Sequence, residues 1–286
     1  MYYKAALVLE GGAFRGLYTS GVLDALMDKD IQFDAVIGVS AGSLNGVNYI
    51  AKQYKRSFSI NTKYRNDKEY IAVSNALKNE SVINLDFLFK DHGLHWQNFD
   101  AEAYKRSDTD FVICATSLTT GNLVTFKNPE VGDDLIKALE ASSSMPLISN
   151  PILTNRGLCL DGGIADSIPY KVAKKMGYDK IVVVRTRPRD YRKSLTGRAA
   201  KKIYELTYKD YPSFVRAAIN RPVKYNETCD ELEALEKSKD IFVIAPDEPI
   251  KVSRLEKNQQ KLQDLYNLGK KNLETSLDSM VNYINQ

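Results

Sequence analysis

Histidine and cysteine are scarce in this sequence: its 286 residues include two histidines and three cysteines. The cysteines form no CxxC pair, so neither a zinc site nor a disulfide framework is indicated. Their odd number and wide spacing favour a reducing compartment; they are Cys114, Cys159 and Cys229. The histidines, His92 and His95, stand near Asp91 in an irregular segment, whereas a metal site needs more ligands in a firmer frame. We therefore expect no metal.

Long apolar runs are also missing. No stretch approaches the roughly 18 apolar residues that a membrane-spanning helix requires. The five apolar residues after Lys4 are too short for the apolar region of a signal peptide. The formal net charge of +4 is too mild to indicate nucleic-acid binding. We expect a cytoplasmic protein without a nucleic-acid partner, whose contact with membranes is peripheral.

Two strand–turn–helix units open the chain. An apolar run at 5–9 is followed by a glycine-rich turn at 11–16 and then by apolar residues at helical spacing. A second run at 33–39 turns at 40–42 and continues as a helix to about Tyr54. Consecutive units of this kind predict a parallel sheet with helices on its faces.

Further apolar runs predict additional strands. They lie at 111–115, 123–126, 158–160, 181–184 and 241–244. The less regular segment 58–108 predicts a helical insertion, and the tail from about 253 to 285 predicts a helix. No linker divides the chain, so we predict a single domain over 1–286, with the core motifs within 4–190 and a helical extension over about 200–286.

A G-x-S-x-G motif stands between an apolar run and a helical pattern, with its serine at Ser40 and its glycines at Gly38 and Gly42. Serine in such a turn takes strained backbone angles and is presented above the sheet, while the glycines avoid clashes. The first amides of the following helix favour an anion in the same space. The motif therefore indicates Ser40 as a nucleophile; a glycine-rich turn with an incidental serine is the alternative.

A second glycine-rich turn covers Gly11–Gly16. It is not a dinucleotide fingerprint, because Ala13 stands where a glycine is required, and it is not a Walker A loop, because Leu17 follows Gly16. We therefore expect no nucleotide cofactor. Successive amides without bulky side chains instead fit an oxyanion hole. Both turns reach the same carboxyl edge of a parallel sheet, where sites of α/β proteins form.

The base that would activate Ser40 is not a late histidine. An ordinary α/β-hydrolase triad ends in histidine, whereas both histidines of this chain lie in its first 100 residues. The best candidate is Asp161, which ends a short apolar run and precedes Gly162 and Gly163. A carboxylate with a pKa of about 4 is a weak base toward a hydroxyl, so direct contact in a desolvated site is required. A plain Asp-Gly-Gly turn is the alternative.

Together these motifs resemble the patatin-like phospholipase family over about residues 4–190. Its members use a Ser–Asp dyad without histidine, a G-G-x-R-G oxyanion loop, a G-x-S-x-G elbow and a D-G-G or D-G-A aspartate motif. Two weaker matches support the resemblance. Ala141–Pro146 is similar to the family's Ala-Ser-x-x-x-Pro segment, and Cys114–Thr116 is similar to part of its central strand. Glu10 stands where aspartate is common, and Ala13 where a third glycine is common.

The resemblance implies a three-layer α/β/α sandwich around a mainly parallel sheet. It also implies hydrolysis of a lipid carboxylic ester, from a phospholipid, lysophospholipid or acylglycerol, through an acyl-enzyme. Ser40 would attack the carbonyl carbon and Asp161 would accept its proton. The expected oxyanion donors are Gly11, Gly12, Ala13 and Ala41. The expected supporting residues are Arg15, Gly16, Gly38, Gly42, Gly162 and Gly163. Arg15 would either order the oxyanion loop or meet a substrate phosphate.

Two other functions remain compatible with these motifs. An acyltransferase would use the same acyl-enzyme with an acceptor other than water. A catalytically silent lipid-binding or regulatory module would keep the fold without the reaction. The sequence predicts no oligomeric state.

A basic run extends from Arg185 to Lys202, with eight lysines or arginines against one acidic residue, Asp190. A solvated surface is the first interpretation of this run. Electrostatic contact with anionic lipid headgroups is the second, and it would fit a lipid substrate.

Overall fold

A central sheet of eight strands organises the fold. The computed structural model describes residues 1–70, 84–89, 98–248, 250–253 and 256–286. The strands are β1 (Tyr2–Leu9), β2 (Gln32–Val39), β3 (Asp110–Ser117), β4 (Leu123–Lys127), β5 (Ile152–Thr154), β6 (Gly157–Asp161), β7 (Ile181–Val184) and β8 (Phe242–Ile244). The helices are α1 (Gly16–Asp28), α2 (Ala41–Ile50), α3 (Arg56–Lys63), α4 (Asp86–Phe89), α5 (Ala101–Lys105), α6 (Asp133–Ser143), α7 (Tyr170–Lys175), α8 (Arg198–Thr207), α9 (Pro212–Lys237) and α10 (Gln259–Asn285).

The strand order places the first two turns side by side. It runs β5-β6-β3-β2-β1-β7-β8, with β4 also paired to β3. The pairs β1–β2, β1–β7, β2–β3 and β7–β8 are parallel, whereas β4 and β6 are antiparallel to β3, and β5 is antiparallel to β6. Because β1 and β2 are adjacent and parallel, the turns that follow them emerge at the same edge of the sheet.

Alternate residues of β1 pack into different cores. Leu7 and Leu9 pack with residues of α1, α2 and α10 on one face of the sheet. Ala6 and Val8 pack with residues of α7 and α9 on the other face. A strand covered on both faces is apolar throughout, as in the run that predicted it. The predicted three-layer α/β/α arrangement with a mainly parallel sheet is confirmed.

The helices α1 and α10 are in very close contact. A Cβ atom built at Gly21 would lie 2.0 Å from the carbonyl oxygen of Tyr266, and one at Gly269 would lie 2.1 Å from that of Tyr18. Any side chain at either glycine would therefore force the helices apart. Although α10 is 27 residues long, no helix in the described ranges is both long and apolar enough to cross a bilayer.

A buried carboxylate lies beside this contact. Asp24 of α1 is 3% exposed and accepts hydrogen bonds from Tyr266 Oη at 2.8 Å and from the N–H of Lys55 at 3.0 Å. Burial raises the pKa of Asp24 to about 6, although these hydrogen bonds and the charge of Lys270 act in the opposite direction. Asp24 therefore ionises less readily in the folded protein than in the unfolded chain.

The elements differ from the sequence-based expectation in several places. The strand Ile152–Thr154 is not predicted, because three residues after Pro151 carry no periodic pattern and become a strand only by pairing with β6. The helix after Ser40 ends at Ile50 rather than near Tyr54. The last helix begins at Gln259, where the side chain of its N-cap residue accepts a backbone N–H.

Candidate active site

Ser40 stands at the junction of β2 and α2. Its φ is 55° and its ψ is −123°, a conformation that costs a non-glycine residue about 1–3 kcal/mol. A Cβ atom at Gly38 would lie 2.6 Å from the nitrogen of Ser43, and one at Gly42 would lie 2.4 Å from the carbonyl oxygen of Leu9. Both glycines of the motif therefore allow a close approach of backbone to backbone.

The strained backbone at Ser40 is held by a serine of α6. The N–H of Ser40 donates to Ser142 Oγ at 2.8 Å, and this hydroxyl donates to the carbonyl oxygen of Cys114 at 2.7 Å. Ser43 Oγ lies 3.1 Å from the same hydroxyl. Sequence reasoning gave Ser142 no role; the resemblance of the segment Ala141–Pro146 was its only signal.

Asp161 is fixed at the end of β6. Its N–H donates to the carbonyl oxygen of Ser144 at 2.8 Å, and its Oδ1 accepts the N–H of Gly163 at 2.7 Å. A Cβ atom at Gly162 would lie 2.2 Å from the carbonyl oxygen of Cys114, so the turn after Asp161 also requires a glycine.

The sheet register places Ser40 and Asp161 at one level. Val39 is opposite Cys114, and Ala115 is opposite Asp161, so the two residues stand two strand spacings apart, about 10 Å between Cα atoms. Both are more than nine-tenths buried, and both line one cavity of about 120 Å³. Within the described residues, no hydrogen bond joins Ser40 Oγ to the carboxylate of Asp161.

The backbone amides expected to hold an oxyanion differ in whether their N–H groups are already hydrogen-bonded. The N–H of Gly11 donates to the carbonyl oxygen of Ser167 at 3.3 Å and is thus already engaged. The N–H groups of Gly12, Ala13 and Ala41 have no acceptor in the described part of the chain. They stand at the start of a short helical turn and of α2, where amides lack intrahelical partners. Ala13 has a φ of 50°, in the left-handed region that favours glycine.

The glycine-rich turn is attached to its neighbours at both ends. The carboxylate of Glu10 accepts hydrogen bonds from the N–H of Thr186 at 2.6 Å and from Tyr225 Oη at 2.8 Å. The carbonyl oxygen of Gly16 accepts Asn45 Nδ2 at 2.9 Å. These hydrogen bonds fix the turn to the end of β7, to the long helix α9 and to α2.

The cavity that holds Ser40 and Asp161 is rich in cations. Its basic side chains are Arg15, Arg187, Lys193 and Arg221. Its two carboxylates, Glu10 and Asp161, each accept hydrogen bonds from this chain. Lys193 Nζ lies 3.5 Å from the centroid of the Tyr225 ring. Four cations against two carboxylates make this cavity attractive to an anionic group next to Ser40.

A second, mainly apolar cavity lies on another side of Ser40. Its apolar lining comes from Ala13, Phe14, Leu17, Ala41, Leu44, Tyr70 and Met145. Ser40, Ala13 and Met145 line both cavities. The serine hydroxyl therefore stands where a polar compartment meets an apolar one.

The later part of the chain supplies residues that sequence reasoning missed. Arg221 and Tyr225 of α9 line the polar cavity, although nothing in their local sequence signals a site. Lys193 and Arg187 belong to the basic run, whose charge was their only signal.

His92 and His95 lie outside the described residues. Within the described residues, no group of three or more histidine, cysteine or acidic side chains could hold a metal ion.

Family models match two parts of the chain. The model described as patatin-like phospholipase matches residues 7–174. A second model, described as a domain of unknown function, matches residues 211–285.

Several curated proteins are similar to this chain. YjjU, an uncharacterized protein of Escherichia coli, is 30% identical over 189 residues, which are 65% of this chain and 52% of YjjU. The probable lipid hydrolase 463L of Invertebrate iridescent virus 6 is 26% identical over 198 residues, 61% of this chain and 64% of that protein. The lysophospholipase NTE1 of Cryptococcus neoformans is 26% identical over 211 residues, 68% of this chain and 12% of that protein. The chain thus spans less than two-thirds of the length of each of these relatives.

Among solved structures, VipD from Legionella pneumophila is similar at 12% sequence identity and a TM-score of 0.49, with 97% of this chain and 67% of that chain covered.

Proposed function

The chain belongs to the patatin-like phospholipase family, and we propose that it hydrolyses a carboxylic ester of a lipid through an acyl-enzyme on Ser40. The observation that carries the proposal is the position of this strained serine between a cation-lined and an apolar cavity. An ester lipid has the matching form, because an apolar acyl chain extends from one side of its carbonyl carbon and a polar alcohol from the other. Such a substrate would be met by peripheral contact with a membrane from the aqueous side.

In the proposed reaction, Asp161 is the base. Its Oδ1 is occupied by the N–H of Gly163, whereas its Oδ2 accepts no hydrogen bond from the described residues and can take the proton of Ser40. The oxygen of Ser40 then bonds to the carbonyl carbon, and the proton on Asp161 passes to the departing alcohol. A water attacks the acyl-enzyme while Asp161 accepts its proton, and the fatty acid leaves as Ser40 regains its hydrogen. The proposal requires that Oδ2 reach the hydroxyl of Ser40 when substrate binds, and catalytic hydrogen bonds often tighten only in the complex.

The oxyanion of the tetrahedral intermediate is assigned to the amides of Gly12, Ala13 and Ala41. Their N–H groups have no acceptor within the described chain, so they can donate to the developing charge without breaking an internal bond. Each such donor is typically worth about 3 kcal/mol in the transition state.

Within lipid esters, the polar cavity favours those that carry a phosphate. Arg187, Lys193 and Arg221 line it together with Arg15, and arginine forks suit phosphate oxygens. We therefore assign phospholipids or lysophospholipids as substrates ahead of neutral acylglycerols.

Turnover of a p-nitrophenyl ester tests the dyad. We expect Ser40→Ala and Asp161→Asn to lower kcat by about a thousandfold or more, and a double His92→Ala, His95→Ala variant to keep near-normal rates. A large loss in the histidine variant would replace the dyad by a histidine-dependent mechanism.

Two further assays separate the alternative functions. A fluorophosphonate probe should label wild type at Ser40 and leave Ser40→Ala unlabelled; an unlabelled wild type would indicate a silent lipid-binding module. Competing alcohols added to the ester assay should yield mainly free acid, whereas mainly transferred ester would indicate an acyltransferase.

Two arginines of α9 allow a matched test of whether the polar cavity recognises a phosphate. Arg221 lines the cavity, whereas Arg216 is exposed on the same helix and donates to Ser213. We expect Arg221→Gln to lower kcat/KM for a lysophospholipid by about tenfold, the value of one charged hydrogen bond, with little change for a monoacylglycerol. Arg216→Gln should leave both unchanged. An equal loss on both lipids would contradict phosphate recognition by Arg221.

A further inference from the structure

The helix α8 presents apolar side chains to solvent. None of the residues of Arg198–Thr207 is buried, and Ile203 and Leu206 expose 49% and 67% of their surface. Since residues three apart share a helix face, these two form a stripe, and Leu195 in the preceding loop is 72% exposed. A helix at the surface of a globular protein ordinarily turns such a stripe toward its core. Within the described residues, nothing covers this one.

Cations surround the apolar stripe. Residues 193–209 contain five lysines or arginines against one acidic residue, Glu205. Of these cations, Arg198, Lys201, Lys202 and Lys209 form no ion pair with any described residue. An amphipathic helix with exposed leucine and isoleucine bordered by unpaired cations is typical of helices that lie in the interface of anionic membranes.

The opposite side of α8 belongs to the rim of the active-site cavity. Tyr204 lines the cavity that holds Ser40. Tyr208, just after the helix, accepts the N–H of Leu147 at 3.1 Å, and Leu147 follows two residues, Met145 and Pro146, that line the same cavity. Leu147 is itself 44% exposed, so exposed apolar side chains stand on both elements of the rim.

We propose that α8, with Leu195 and Leu147, is the surface by which this protein docks on an anionic lipid bilayer, with the mouth of the Ser40 cavity toward the lipid. A second copy of the chain is a poorer occupant, because a symmetric contact would bring the cations of one α8 against those of the other. The purpose of docking rests on the proposed lipid hydrolysis, but the docking itself needs neither Ser40 nor Asp161.

The test is co-sedimentation of the full-length Ser40→Ala variant, which turns over no lipid, with two kinds of vesicle. We expect binding to mixed phosphatidylcholine and phosphatidylglycerol vesicles that weakens with added salt, and little binding to pure phosphatidylcholine. In that background, Ile203→Gln with Leu206→Gln should lower the partition coefficient by about tenfold or more, and Lys201→Gln with Lys202→Gln by about thirtyfold. Glutamine keeps helix propensity, and thermal unfolding checks that the variants are folded.

The matched control is Leu153→Gln. Leu153 is 68% exposed on β5, which contributes no residue to the cavity, so this variant should bind vesicles like its parent. Docking at α8 is overturned if the α8 variants bind as well as the control, or if they change the oligomeric mass of the protein in solution instead.

Turnover of the soluble ester p-nitrophenyl butyrate, with Ser40 intact, separates the two proposals. The α8 variants should hydrolyse it at the wild-type rate and lose rate only on vesicle substrate. A wild type that binds vesicles but never hydrolyses this ester leaves docking standing and overturns the proposed function. A wild type that hydrolyses the ester but does not bind anionic vesicles overturns docking and leaves the proposed function standing.

Discussion

The substitution Ser142→Ala removes the hydroxyl that holds the backbone of Ser40. In the wild type this hydroxyl accepts the N–H of Ser40 at 2.8 Å and donates to the carbonyl oxygen of Cys114 at 2.7 Å. The side chain is fully buried, with 0% exposed, so alanine leaves two buried polar groups without their partner, at about 1–3 kcal/mol each. We expect the free energy of unfolding, measured in urea, to fall by about 2–6 kcal/mol.

The same substitution should slow the reaction. The φ of 55° at Ser40 is retained only while its surroundings impose it, and a small displacement of the proposed nucleophile would lower the rate strongly. We expect kcat on a p-nitrophenyl ester to fall by about tenfold or more, with a smaller change in KM. Ser43→Ala is the matched control, because it loses one contact of 3.1 Å to Ser142 and keeps the bond to Ser40. If Ser142→Ala and Ser43→Ala have the same stability and the same kcat, the hydrogen bond from Ser40 to Ser142 does not hold the backbone of Ser40 in place.

Two further predictions concern residues of α1, the buried carboxylate of Asp24 and the close helix contact at Gly21. Burial raises the pKa of Asp24 to about 6, so between about pH 4 and 6 the native state binds more protons than the unfolded chain, and its unfolding free energy falls by about 3 kcal/mol as the pH rises through this window. Asp24→Asn should remove this fall in urea titrations at several pH values; an unchanged fall would assign it to another group. Gly21→Ala would place a Cβ atom 2.0 Å from a carbonyl oxygen of α10 and should cost about 3 kcal/mol, whereas Gly197→Ala, with nothing within 4 Å, should cost less than about 1 kcal/mol. Equal costs would contradict the close helix contact.

Local sequence patterns were sufficient for the elements that carry the motifs. An apolar run followed at once by glycines predicts a buried strand and a tight turn, and this holds for both units before residue 50. The strand Ile152–Thr154 could not be found in this way, because its pairing with β6 is what makes it a strand. Ser142 and Arg221 were missed for a related reason: their relation to Ser40 depends on how α6 and α9 pack in the folded protein.

Three expectations stay predictions. The register places Ser40 and Asp161 level with each other, which supports the dyad, but the proton transfer between them awaits the ester assay. Gly11 stays an oxyanion donor only if its hydrogen bond to Ser167 opens. The single domain over 1–286 is favoured by β8, which extends the sheet, and by α10, which packs on α1.

The contact between α1 and α10 joins segments that a ribosome makes far apart in time. The face of α1 that contains Gly21 is covered by residues beyond Gln259, so a growing chain leaves it uncovered until α10 has been made. Contacts between such distant segments form late and slowly, and the apolar surface that waits for them is prone to aggregation. We expect nascent chains of this protein to depend on chaperones until α10 has left the exit tunnel.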